Sequence, residues 1–104
     1  MIKNNCQLCQ DPLPVIEKLY KETDKWIILD CMSCHVPMIV WKEHTMRITR
    51  AIREDITEAL IEVADKHFGK YKYYIDKEQR SVFNHLHWHA RPTGWELIHF
   101  SGKK

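Results

Sequence analysis

The chain has 104 residues, 44% of them hydrophobic, 29% charged and 11% aromatic, which fits one folded domain and excludes a disordered, collagenous or low-complexity chain. Sixteen Lys and Arg against fourteen Asp and Glu leave a formal charge of +2 with the two signs interspersed, so nucleic acid is an unlikely partner. No apolar run approaches the ~18 residues of a membrane span, and Met1-Ile2-Lys3-Asn4-Asn5 lacks an apolar signal region, which predicts a cytoplasmic protein with no membrane partner.

The segment Cys6-Gln7-Leu8-Cys9-Gln10-Asp11-Pro12-Leu13-Pro14 is expected to be irregular, because its prolines suit neither a helix interior nor a central strand. Residues 15–22 alternate loosely, Thr23-Asp24 supplies turn chemistry, and Trp26-Ile27-Ile28-Leu29 is β-branched and aromatic. Together they predict a hairpin, followed by a third strand over residues 36–41. Then the period changes. Ile52, Ile56, Ala59, Leu60, Val63 and Ala64 line one face of a helix predicted over residues 49–68. Gly69 is a stop signal just past its last turn, where Lys66 and His67 suit the negative end of the dipole. Residues 71–75, 82–90 and 95–100 read as strands, with Pro92-Thr93-Gly94 as the turn between the last two. Three strands, one helix and three more strands with short turns predict an α+β fold. In it one main helix packs on an antiparallel sheet of five to six strands.

A domain of this size has a thin core and gains from a cross-link or an oligomeric interface. The cysteines offer the cross-link. Cys6, Cys9, Cys31 and Cys34 form two C-x2-C pairs. Each pair can place two thiolates on one cation, and together they make the tetrahedral sulfur set that structural zinc prefers. In an antiparallel hairpin of residues 15–22 with 25–30, Cys31 returns beside residue 15, close to Cys9. Zinc there would clamp the N-terminal segment to the sheet and compensate for the small core. Buried reduced thiols and disulfides are the alternative states of these cysteines.

Asn84-His85-Leu86-His87-Trp88-His89 is the sharpest feature. On a strand His85, His87 and His89 share one face at spacings of about 7 Å, with Leu86, Trp88 and Ala90 on the other. A solvated face that carries histidine by chance would ask nothing more of them. The row could also hold a metal ion. It could equally act by nucleophilic catalysis, one imidazole attacking phosphorus while its neighbours bind phosphate oxygens or protonate the leaving group.

His85-Leu86-His87-Trp88-His89-Ala90-Arg91-Pro92 resembles the signature of the histidine-triad family. The likeness extends upstream. Residues 19–30 resemble the family's first hairpin, and residues 34–44 resemble its next strand, which starts with a His and ends in Lys-x-His. Gln79-Arg80-Ser81-Val82 resembles the approach to the triad, and Cys6-x2-Cys9 resembles the CxxC with which many bacterial members begin. The resemblance implies a single domain over residues 1–104 with an N-terminal zinc knuckle, associating as a homodimer. It further implies a nucleotide hydrolase or nucleotidyl transferase acting at an α-phosphate, on a nucleotide phosphoramidate or a dinucleoside polyphosphate. By position, His87 would be the nucleophile, His85 and His89 would orient it and contact phosphate, His35 would complete the site, and Asp30 would accept from ribose hydroxyls. In zinc-containing members the CxxC partners are two His, whose counterparts here are His44 and His85; the second CxxC pair competes with them.

The chain departs from the family pattern in three places. His35 to His44 is one residue longer, which implies a bulge or register change at Pro37. Tyr73-Tyr74-Ile75-Asp76-Lys77-Glu78 replaces a stretch containing Asn and Gly. Ala90-Arg91 interrupts the apolar tail of the motif. Outside the family reading stand two others, a non-catalytic zinc-stabilised binding module and a metalloenzyme using His85, His87 and His89.

Overall fold

Thr23 organises the first turn. Its Oγ1 accepts from the backbone N–H groups of Lys25 and Trp26, both at 3.1 Å, and its own N–H donates to the Trp26 carbonyl at 2.8 Å. A hydroxyl that satisfies two turn amides fixes where the chain reverses. A computed structural model describes residues 18–31, 35–78 and 85–94. Their elements, in chain order, are β1 (Leu19–Glu22), β2 (Trp26–Asp30), β3 (Pro37–Trp41), α1 (Arg50–Phe68), β4 (Tyr73–Asp76) and β5 (His87–Pro92). The sheet has five strands in the order β1-β2-β3-β5-β4, and every neighbouring pair is antiparallel. With α1 packed on it, the fold is α+β, as the pattern of elements predicts.

The helix begins and ends on its capping residues. Thr49 is the N-cap, its Oγ1 accepting from the Ile52 N–H at 3.1 Å. Gly69, at φ +98°, stops it and donates its N–H to the Asp65 carbonyl at 3.0 Å. Ile56, Leu60, Val63 and Ala64 are its buried residues, spaced as one helical face requires. They meet Trp26, Ile28, Ile39, Trp41, Trp88 and Ala90 from the sheet, with Leu86 beside them.

Register sorts the strand residues between the two faces, since directly opposed residues of an antiparallel pair point the same way. Ile28 lies opposite Ile39, and Ile39 opposite Trp88, on the face that α1 covers. Leu29, Met38, His89 and Asp76 form a row on the other face, and Ile27, Val40 and His87 form the next. Ile27, Leu29, Cys31, Met38 and Val40 cluster there as a second buried group.

Several boundaries differ from the sequence expectation. The β2–β3 register runs unbroken from Asp30↔Pro37 to Trp26↔Trp41, so Pro37 carries no bulge; the irregularity lies between Leu19 and Lys21 of β1. The unusual backbone falls instead on His35, at φ +59°. Strand β5 starts at His87, because His85 sits in a bend. Pro92 ends β5 rather than opening a turn, and Thr93 and Gly94 make the turn. The expected strand over residues 95–100, and the parts of expected strands at residues 15–17 and 82–84, lie outside the described residues. Among the described residues no helix is long and apolar enough to cross a membrane.

Candidate functional site

Four of the imidazoles among the described residues fall into two pairs. His87 and His89 are alternate residues of β5 on the face away from α1, their ring centroids 5.5 Å apart at an interplanar angle of 74°. His85 and His44 form the other pair, with centroids 5.1 Å apart in an edge-on arrangement. The reason is local. His85 precedes β5, where the Leu86 N–H donates to the Thr45 carbonyl at 3.0 Å and the Trp41 N–H to the Leu86 carbonyl at 3.1 Å. That docking carries His85 to the end of β3, where its Nε2–H donates to the Trp41 carbonyl at 2.6 Å. Three imidazoles in an unbroken strand row is therefore not the arrangement: two lie on the strand, and the third is anchored at the bend.

The link between the pairs is a backbone hydrogen bond. His87 Nδ1 lies 2.9 Å from the His85 carbonyl oxygen. A carbonyl only accepts, so Nδ1 carries the proton and the neutral ring has its lone pair on Nε2. Burial pushes the His87 pKa down, against the opposing pull of the His85 carbonyl. Burial pushes His85 down in the same way, against the Trp41 carbonyl. Both rings are therefore neutral at pH 7. His85 is fully buried, while His87 is 4% and His89 6% exposed. His89 Nδ1 is buried without a hydrogen-bond partner among the described residues.

Arg91 and Asp76 stand beside this pair and were not singled out by motif. Arg91 follows His89 by two residues on the same strand face, and Asp76 is the register partner of His89 on β4. The Arg91 Nε–H donates to Asp76 Oδ2 at 2.6 Å, and Asp76 Oδ1 accepts from the Glu78 N–H at 3.1 Å. Both side chains are at least nine-tenths buried. The one sequence sign of this pair was the charge that interrupts the apolar tail of the motif.

The other expected site residues are more dispersed. Asp30 lies on the α1 side of the sheet, at the end of β2, where its Oδ1 accepts from the Tyr20 hydroxyl at 2.8 Å. It is not gathered with His87 and His89. His35 is exposed at the approach to β3, beyond Met38, the residue opposite His89. Its N–H donates to the Cys31 carbonyl and the Cys31 N–H to the Val36 carbonyl, both at 2.8 Å.

Comparison of the chain with protein-family models, with curated proteins and with solved structures finds no match.

Cys31 is buried with Ile27, Leu29, Met38 and Val40 on the face that carries His87. Cys6, Cys9 and Cys34 lie outside the described residues. Among the described residues no three His, Cys, Asp or Glu side chains group as a metal site.

Proposed function

We propose that the chain is a histidine-triad enzyme, a nucleotide hydrolase or nucleotidyl transferase whose nucleophile is His87. One observation carries the reading: the Nδ1–H of His87 is held by the His85 carbonyl at 2.9 Å, which leaves Nε2 as the basic atom of a ring that burial keeps neutral. A neutral imidazole whose lone pair lies on Nε2 has the atom needed to attack phosphorus without a catalytic metal. Nε2 forms the N–P bond at the α-phosphate as the bond to the leaving group breaks, and the leaving atom takes a proton from a neighbouring acid. Water then attacks the same phosphorus and releases Nε2. His89, 5.5 Å away centroid to centroid, is the neighbour suited to hold phosphate oxygens. His85 acts through its carbonyl as a positioning residue, and His35 stands at the rim. Asp30 belongs to the Tyr20 contact rather than to the ribose in this reading.

The same resemblance supports a structural zinc on Cys6, Cys9, Cys31 and Cys34, a single domain, a homodimer and a cytoplasmic setting. The substrates in this reading are nucleotide phosphoramidates or dinucleoside polyphosphates.

The test is hydrolysis of a fluorogenic adenosine phosphoramidate and of a dinucleoside polyphosphate by the full chain and by His87→Ala. Removal of the nucleophile is expected to cost more than about 10³-fold in turnover. A wild-type chain inert toward both substrates would overturn the enzyme reading and favour a zinc-stabilised binding module. Metal analysis of the same preparations is expected to find about one zinc per chain. That zinc should survive replacement of His85, His87 and His89 by Ala, and its loss in His44→Ala would move the ligand set from the cysteines to the histidines.

A further inference from the structure

We propose that the cleft between β1 and the last turns of α1 is a second ligand site, one that takes a small phosphate-bearing anion. It does not rest on the histidine-triad reading, because it lies on the side of the sheet that α1 covers. The cleft has a volume of about 520 Å³, within the ~300–1,000 Å³ range of small-molecule sites. Lys18 and Lys21 line it from the strand side, and Lys66 and His67 from the helix side. Tyr20 and Val63 supply its apolar surface, and Glu62 its one lining acid.

The charges do not cancel. Lys21 meets Glu62 at 3.5 Å, and both side chains are more than half exposed, so the pair is loose. Among the described residues, no carboxylate lies within ion-pair distance of Lys18 or Lys66. Lys18, Lys21 and Lys66 against Glu62 leave two positive charges on the lining of the cleft. A charged cleft with low-dielectric walls focuses its field on an entering anion.

The wall of the cleft is also pre-set. The Tyr20 hydroxyl donates to Asp30 Oδ1 at 2.8 Å and lies 3.3 Å from His67 Nδ1. Burial, and then the Asp30 carboxylate, raise the Tyr20 pKa, so the phenol keeps its proton and gives it to Asp30. The phenol oxygen can then only accept from the His67 ring, and His67 Nδ1 is the donor. That assigns Nε2 as the atom of His67 available to a ligand. Neutral, it accepts from a phosphate hydroxyl; protonated, it donates to a phosphate oxygen. Phe68, edge-on at 4.5 Å, and Tyr20, edge-on at 5.6 Å, hold the ring between them. Lys18 Nζ stands 5.1 Å from the Tyr20 ring centroid, at the mouth of the same cleft.

A short anion suits this surface better than a nucleic-acid strand. Among the described residues, acids flank the patch toward the end of β1 and back along α1. Glu22 closes it at one end and pairs with Lys42 at 2.7 Å, Asp24 follows in the turn, and Glu58 lies one turn back along the helix. A polymer needs a track, and here the positive charge is a patch.

The experiment titrates the full-length chain with inorganic pyrophosphate at low salt, read by calorimetry and by the imidazole NMR resonances. Saturable binding with the His67 resonances moving first is the expected result. Lys18→Glu with Lys66→Glu should weaken it at least about tenfold, the loss of two charge-assisted contacts. Both lysines are exposed, so the fold should tolerate the change; if it does not, Lys66→Gln alone replaces the pair and should weaken binding severalfold. His87→Ala should bind pyrophosphate in the cleft as the parent does, whatever its effect on hydrolysis. Binding that ignores the lysine replacements, or that moves only His87 and His89, would overturn the site. So would a single-stranded oligonucleotide that binds while pyrophosphate does not.

Discussion

The two faces of the sheet are built from the same strands and obey different rules. The face under α1 is apolar throughout its centre: Ile28, Ile39, Trp88 and Ala90 meet Ile56, Leu60, Val63 and Ala64. The other face mixes Ile27, Leu29, Met38 and Val40 with His87, His89, Asp76 and Arg91, all of them buried. Buried polar groups lower stability unless their hydrogen bonds are met, so a fold optimised only for stability would not hold four of them on one face. The first face explains why the chain folds. The second carries groups whose presence needs a chemical reason.

Breaking the polar face should have the larger effect on stability. Asp76→Ala leaves the Arg91 guanidinium buried without its 2.6 Å partner and is expected to cost about 3–5 kcal/mol in denaturant unfolding. The double change Asp76→Leu with Arg91→Met should recover most of that loss, since it removes both charges together. A double variant as unstable as the single one would show that other contacts of this pair matter more than the pair itself. On the apolar face, Leu60→Ala should cost about 2–5 kcal/mol, the range for a fully buried leucine. It should leave the turnover of the folded fraction unchanged, which a fluorogenic assay below the unfolding midpoint can read.

Proton linkage gives the mildest test. Folding lowers the pKa of His85 and of His87, so the unfolded chain takes up protons that the folded chain refuses. Above about pH 7 both states are neutral at these rings and stability is unaffected. Below about pH 6.5, the ordinary histidine value, stability should fall until the folded-state values are reached. Replacing His87 by Asn should flatten part of that slope in thermal melts between pH 7 and pH 5. A slope unchanged in both His87→Asn and His85→Asn would mean that folding does not lower the pKa of these rings.

What could be read in advance follows the range of each physical signal. Local signals were legible. Thr49 and Gly69 bracket α1 within a residue of the expected limits, because caps and the 3.6 period act over one turn. The hairpin at Thr23 and the α+β layout follow from the same short-range chemistry. Strand order was not legible: alternation tells which residues share a face and says nothing of which strand lies beside which. The place of β5 between β3 and β4 therefore appears only in the fold. His85 shows the limit most clearly. Its spacing from His87 matches a strand, but the Trp41 carbonyl and the Thr45–Leu86 bond hold it in a bend. Asp30 and His67 meet through Tyr20 across 37 residues of chain, counted from Asp30 to His67, and nothing in their local patterns links them.

The strand order also bears on the sequence of folding events. Strands β1, β2 and β3 follow one another as a meander of neighbours, and their contacts can form as soon as that stretch of chain exists. Strand β4 has no partner in the meander; its pairing is with β5. During synthesis β4 must therefore wait, with α1 docked or docking, until β5 emerges and inserts. His87, His89 and the Asp76–Arg91 pair come together in that one closing step. A variant that slows the insertion of β5 should accumulate a species with a formed meander and helix but with no histidine face at all.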